Sequence, residues 1–175
     1  MISTLGIIGG IVLVLGAAWP AHKVSHPIKS IKNWGLALGA LIMLVFATLD
    51  YYYNQAPIFF ILLQLLVNTA SVLMMMKAGD KTSTILLSII GTILIGFSLF
   101  IFEDFSTALF ILGLLGVGIG YALETGTIKR NVALLLGSIL ITIFSYLGAS
   151  WIFFWLNAFF ALFSAWHIFR LYKNK

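Results

Sequence analysis

The stretch KNWGLALGALIMLVF, residues 32–46, returns 98 residues later as RNVALLLGSILITIF, residues 130–144. Most positions exchange one apolar or small residue for another, and five are identical. The identical pairs are Asn33 and Asn131, Leu36 and Leu134, Leu38 and Leu136, Gly39 and Gly137, and Phe46 and Phe144. Self-similarity at a fixed offset predicts that the chain contains two copies of one structural unit.

The composition places the chain in a lipid bilayer. Of its 175 residues, 62% are hydrophobic and only 9% are charged, and the mean hydropathy is +1.12. A soluble domain is roughly half apolar and about a quarter charged. The absence of cysteine excludes disulfides, a thiolate nucleophile and cysteine metal ligands.

The apolar runs predict seven membrane-spanning helices, since a span needs about 20 mostly apolar residues. The predicted spans are residues 3–19, 34–50, 57–77, 84–102, 105–123, 131–147 and 151–171. No run alternates with the period of a membrane β-barrel strand. The first span resembles a signal peptide, with small residues at AAWPA, but it lacks a basic leading region. We therefore expect it to remain as a helix.

The cations support this count of helices. The ten Lys and Arg residues fall in the first, third and fifth loops and at the C-terminus, and the other loops have none. The positive-inside rule then predicts an outside N-terminus and a cytoplasmic C-terminus, in the cell (inner) membrane. This placement explains the net charge of +5 without a nucleic-acid partner.

The repeat extends beyond the opening stretch. The third and seventh helices match at an offset of 93, which pairs Gln64 with Asn157. The first and fifth each carry a Gly-x-x-x-Gly pair, Gly6/Gly10 and Gly116/Gly120. The predicted organisation is a triple-helix repeat (1–80), a linker helix (81–104) and a second triple-helix repeat (105–175). The linker makes the two repeats parallel, a known transporter design with its site near the midplane.

Two stretches carry a resemblance to a known family. WPAHKVSHPIKSIKNWGLALG (19–39) and PIFFILLQLLVNTASVLMMMK (57–77) resemble the SWEET and SemiSWEET sugar transporters of the PQ-loop superfamily. The family's Pro-Gln is Pro20-Ala21 here, and the second copy has no proline. The hinges that the resemblance implies are Pro20 and, in place of the second proline, Gly116, Gly118 and Gly120. The same plan also resembles nicotinamide riboside transporters and, more remotely, the KDEL receptor.

Polar side chains lie on one face of two helices: Gln64, Asn68 and Ser71 on the third, and Asn157, Ser164 and His167 on the seventh. Gln64 and Asn157 each precede a cation by 13 residues. The resemblance implies that an amide at about this point binds the sugar, and an amide offers donors and an acceptor to hydroxyl-rich ligands. The alternative is interhelical hydrogen bonding, worth about 0.6 kcal/mol per bond.

The resemblance also implies an aromatic side chain that stacks on the ligand near the end of the second helix of each repeat. Phe46 and Phe144 occupy equal positions there, and Tyr146 is close. The alternative for these side chains is ordinary packing. Tyr51, Tyr52, Tyr53, Trp151 and Trp155 are typical of an aromatic belt at the membrane interface.

No combination of residues predicts an enzyme, a metal site or a cofactor. His22 and His26 are four apart, but prolines, lysines and the lack of a nearby carboxylate favour a loop over a metal site. We therefore expect a carrier of a small neutral polar solute such as a sugar, working by facilitated diffusion through alternating access. The alternatives are a non-transporting scaffold or receptor-like protein and a vitamin-precursor transporter. Homo-oligomer formation and the solute's identity stay open.

Overall fold

The computed structural model describes residues 2–19, 26–76, 80–102, 104–124 and 126–173. Within these ranges the chain forms seven α-helices and one short 3₁₀ helix, Pro27–Lys29. The α-helices are α1 (Ile2–Ala18), α2 (Ile31–Asn54), α3 (Phe59–Met75), α4 (Asp80–Phe100), α5 (Phe105–Ala122), α6 (Ile128–Leu147) and α7 (Trp151–Lys173). The predicted all-α fold with seven helices is confirmed.

Five of these helices, α2, α4, α5, α6 and α7, are long and apolar enough to cross a membrane. Helices α1 and α3 are equally apolar but contain 17 residues each. At 1.5 Å per residue that length is about 26 Å, slightly less than a typical hydrocarbon core. The helices indicate an integral membrane protein, as the composition predicted.

The repeated asparagine of the opening stretch fastens the start of a helix. Asn33 Nδ2 donates to the carbonyl oxygen of Pro27 at 3.1 Å, and Asn131 Nδ2 donates to that of Thr127 at 3.0 Å. The N-cap hydroxyls of Ser30 and Thr127 accept from backbone amides of the same first turns. In both copies the hydroxyl thus satisfies an amide that a helix start leaves unpaired, and the asparagine ties the helix to the residues that lead into it.

The chain divides into two compact units, residues 1–79 and 80–175. In the first unit α2 packs against both α1 and α3. In the second unit α6 packs against both α5 and α7, and α4 packs against α5. Each unit therefore has a central helix, α2 or α6, and these are the two helices that carry the repeated stretch.

Glycine lets the central helix of each unit approach its preceding neighbour closely. A Cβ on Gly39 would lie 2.5 Å from the backbone nitrogen of Leu13, and one on Gly137 would lie 2.6 Å from that of Val117. Residues Leu13 and Val117 are 104 apart, so α1 and α5 match at that offset. Without a hydrophobic force between helices in lipid, such close backbone contact supplies the packing energy.

The structure therefore corrects the pairing of glycines that the Gly-x-x-x-Gly pattern suggested. The equivalent glycines are Gly9 with Gly113 and Gly16 with Gly120, because each pair meets equivalent residues of the central helix. A Cβ on Gly10 would meet nothing within 4 Å. The close contacts of α1 are made by glycines seven apart.

Burial repeats at the same offsets. The buried residues of α1 are Gly6, Gly9, Leu13 and Gly16, and their counterparts Phe110, Gly113, Val117 and Gly120 are all buried in α5. The buried residues of α6 are Gly137, Ser138, Ile141, Phe144 and Ser145, and their counterparts Gly39, Ala40, Met43, Phe46 and Ala47 are all buried in α2. The two copies therefore share one internal packing pattern.

Two bonds hold the end of α5 to its neighbours at the basic end of the second unit. The Thr84 hydroxyl of α4 donates to the Ala122 carbonyl at 2.9 Å, and the Arg130 guanidinium of α6 donates to the Leu123 carbonyl at 3.3 Å. Arg130 also lies 5.7 Å from the ring centroid of Tyr121. Carbonyls that the helix end leaves unpaired are satisfied in this way.

Candidate functional site

Gln64 is the most unusual polar residue of the described chain. Its side chain is 1% exposed, in the middle of an apolar helix. Among the described residues, its Oε1 is the only side-chain oxygen or nitrogen that is fully enclosed and has no hydrogen-bond partner. A buried amide group left unpaired costs about 1–3 kcal/mol. Polar groups of this kind are rare in folded proteins and need a reason.

The neighbourhood of Gln64 is apolar. The Asn68 side chain donates to the Ala40 carbonyl of α2, which sets the register of the two antiparallel helices. One turn back along α3 brings Gln64 to the level of residue 44 of α2. Near that level Met43 and Phe46 are 0% and 3% exposed. The buried side chains of α2 nearest to the level of Gln64 are therefore apolar.

Asn68 has the opposite character. Its Nδ2 donates to the Ala40 carbonyl of α2 and to the Gln64 carbonyl of its own helix, both at 2.8 Å. Both hydrogens of the nitrogen are thereby engaged. The predicted substrate residue Asn68 thus joins α2 to α3 and braces the turn that carries Gln64. This geometry matches the alternative of interhelical hydrogen bonding.

Asn157, the repeat counterpart of Gln64, is 6% exposed. Its Nδ2 donates to the Phe153 carbonyl of the same helix at 2.8 Å. A carbonyl oxygen only accepts, so the amide nitrogen must lie on that side and Oδ1 is directed away from it. Asn157 therefore keeps an acceptor for another group, whereas Gln64 keeps its whole amide.

The predicted aromatic residues separate into two groups. Phe46 and Phe144 are 3% and 4% exposed, and the Phe144 ring lies 5.2 Å from that of Phe110. Tyr146 is 59% exposed and contacts the rings of Trp151 and Phe154, each at 6.0 Å. The structure thus places Tyr146 in an exposed aromatic cluster near the end of α6, apart from the buried pair.

The predicted hinges differ in what the structure shows of them. Pro20 lies outside the described residues. Gly116, Gly118 and Gly120 lie within the continuous helix α5. Gly116 and Gly120 meet the backbone or side chains of α6, and Gly118 is partly buried. Two of the three glycines therefore serve close helix packing in this conformation.

The buried serines differ in their hydrogen bonding, and the two without a partner both lie in the second unit. Five serines of the described chain are buried, and three of them donate to the carbonyl four residues before, at 2.7–2.8 Å. These three are Ser71, Ser98 and Ser145. The other two, Ser138 and Ser164, are 4% and 6% exposed. Neither hydroxyl bonds to a residue in the part of the chain that the structure describes.

Acidic residues contribute caps rather than a site. Asp104 is the N-cap of α5, where its carboxylate accepts from the Thr107 amide at 2.9 Å. That bond, with further bonds from the Ser106 and Thr107 hydroxyls, lowers the pKa of the exposed Asp104 carboxyl. The Asp50 carboxylate accepts from Asn54 Nδ2 at 2.7 Å within α2. The described residues contain no group of His, Asp and Glu side chains able to hold a metal ion.

Comparison of the chain with protein-family models, with curated proteins and with solved structures found no match. The resemblance to the SWEET-like transporters therefore stands on the quoted residues and on the helical plan alone.

Proposed function

We propose that the protein is a membrane carrier for a small neutral polar solute such as a sugar, which it moves by alternating access of its two repeats. The amides of Gln64 and Asn157 bind the solute. The N-terminus lies outside, the C-terminus lies in the cytoplasm, and α4 acts as the linker helix between the repeats.

The unpaired amide of Gln64 carries this proposal. A side chain that only joined helices would show a partner, as Asn68 does. An amide that binds a passing solute needs to be free in the absence of that solute. Its burial among apolar groups strengthens each hydrogen bond that the solute makes. The equal position of Asn157 in the second repeat supplies a second polar contact.

Neutral solutes fit these residues better than ions. An amide is uncharged and both donates and accepts, which suits hydroxyl and amide groups. A bare charge in a membrane core needs an opposite charge nearby. Facilitated diffusion follows, because the predicted spans contain almost no ionisable side chain away from their ends.

The test is a thermal-shift screen of the purified protein in detergent. The panel holds glucose, sucrose, uridine and nicotinamide riboside, and the variants Gln64→Ala and Asn157→Ala are screened alongside. Binding to the folded state raises its melting temperature by mass action. We expect one solute class to shift the wild type and to shift neither variant.

A matched control is Asn68→Ala, which removes a neighbouring amide already engaged in two hydrogen bonds. It should lower the melting temperature of the free protein yet keep a solute-induced shift. Uptake of the same solute into proteoliposomes then distinguishes a carrier from a receptor. A solute that binds but does not cross would favour the receptor-like alternative.

A further inference from the structure

We infer that the second repeat holds an additional polar subsite, formed by the hydroxyls of Ser138 on α6 and Ser164 on α7, which binds hydroxyl or amide groups of the solute. The inference rests on the proposed carrier function and extends it to two residues beyond the amides. On this inference the solute passes along the contact between α6 and α7.

The hydrogen bonding of the buried serines carries the inference. A serine in a membrane helix satisfies its hydroxyl most simply by donating to the carbonyl four residues before. Ser71, Ser98 and Ser145 do so. Ser138 and Ser164 have the same option and are also buried, at 4% and 6% exposed against 0–2% for the other three, yet neither donates to any described residue. Their hydroxyls remain free for a ligand.

The two serines lie on neighbouring helices, Ser138 on α6 and Ser164 on α7. Helices α6 and α7 are antiparallel and pack against each other across the short turn at residues 148–150. Counting from the middle of that turn places Ser138 level with Phe160. Asn157, Ala161 and Ser164 are four and then three residues apart, so they share one buried stripe of α7. Ser138 therefore lies at a level between those of Asn157 and Ser164.

The repeat shows that this polarity is not required for packing. The counterpart of Ser138 in α2 is Ala40, which is 0% exposed, and the counterpart of Ser164 in α3 is Ser71, which bonds to Val67. An equivalent helix pair thus packs without a free hydroxyl. The two free hydroxyls of the second repeat extend the polar row of Asn157 by about two turns along α7.

The first experiment uses the absence of cysteine from the chain. Single variants Ser138→Cys, Ser164→Cys and, as a matched control, Ser145→Cys are treated in membranes with a small cationic methanethiosulfonate. We expect the first two to be modified and the third to stay unmodified, because Ser145 is 0% exposed whereas Ser138 and Ser164 are 4% and 6% exposed. Equal protection of all three would overturn the subsite. Each variant is unfolded in detergent afterwards to show that its thiol is intact.

The second experiment measures affinity for whichever panel solute shifts the wild type. Ser138→Ala and Ser164→Ala should each raise Kd by about 2- to 10-fold, the loss expected for one neutral hydrogen bond. Ser145→Ala should leave Kd unchanged. Unchanged Kd in all three variants refutes the subsite while leaving the carrier proposal intact. Labelling of the serine positions without binding of any panel solute would instead count against the proposed solute class.

Discussion

Replacing Gln64 by leucine should make the protein more stable, which is unusual for a buried residue. The wild-type side chain is 1% exposed, and its Oε1 has no hydrogen-bond partner among the described residues. Leucine has a similar volume and removes the unpaired amide. Relief of that penalty should raise the free energy of unfolding by about 1–3 kcal/mol.

Asn68→Leu, one helical turn away, is the matched control. This change removes bonds to the Ala40 and Gln64 carbonyls, both 2.8 Å long. At about 0.6 kcal/mol per bond in a membrane, it should lower the free energy of unfolding by about 1 kcal/mol. Both substitutions replace an uncharged amide by leucine, and because Asn68→Leu also adds volume, the companion variant Asn68→Ala separates the loss of hydrogen bonds from overpacking.

The assay is reversible unfolding in mixed micelles, followed by tryptophan fluorescence and by circular dichroism. Coincident transitions by the two probes license a two-state free energy. If Gln64→Leu loses as much stability as Asn68→Leu, Gln64 is a structural bond and the carrier proposal loses its main support. If stability rises but the solute-induced thermal shift vanishes, the free amide is kept for function at a cost in stability.

Three further predictions concern helix packing, a turn and a cap. Gly39→Ala should lose about 1–3 kcal/mol of unfolding free energy by overpacking against α1, whereas Gly96→Ala, which meets nothing within 4 Å, should gain up to about 1 kcal/mol. In the same assay Ala149→Gly should gain about 1 kcal/mol because Ala149 has φ +51°, while Gly148→Ala, at φ −84°, should be nearly neutral. The Asp104 carboxyl has a folded-state pKa below its ordinary 3.8, so the stability it adds is present above that pH and is lost as pH falls through the folded pKa. Asp104→Asn keeps the cap, and a pH titration of the melting temperature should show this acid-dependent loss in the wild type only.

The helices could be predicted because each is a long apolar run ended by polar or turn residues. The residues at which the helices end depend on local backbone conformation, which composition does not show. Helix α2 continues through Tyr51, Tyr52 and Tyr53 to Asn54, beyond the predicted end at Asp50, and stops where Gln55 adopts a left-handed conformation with φ 55°. The side chains suit an interface belt, yet nothing in them breaks a helix.

The alignment of α1 with its repeat counterpart α5 could not be predicted from the sequence, for a different reason. Gly-x-x-x-Gly pairs are common in membrane helices, and several alignments of glycines are equally good by sequence. The correct alignment is the one that pairs the glycines that face the central helix in each repeat. That choice selects Gly9 and Gly16 and leaves Gly10 in open space.

The candidate amides could be found because polar residues stand out in apolar helices, but their roles could not be separated. Gln64 and Asn68 lie on one face and look alike in sequence. Only the register of α3 against α2 places Asn68 within reach of the Ala40 carbonyl and leaves Gln64 without a partner. Ser138 gave no signal at all, since most buried hydroxyls in such helices are satisfied by their own backbone.

The two repeats keep their packing and differ in their polar groups, and this division bears on function. Several residues that set helix contact are identical between the copies, among them Gly39 with Gly137 and Gly16 with Gly120. The polar positions have diverged: a free amide at Gln64 corresponds to a half-engaged amide at Asn157, and Ala40 corresponds to Ser138. A scaffold needs only the packing set. If the protein is a carrier as proposed, its two repeats offer different polar groups on similarly packed helices. This arrangement favours a solute whose two ends differ. Its hydroxyl-rich end would be bound by the second repeat.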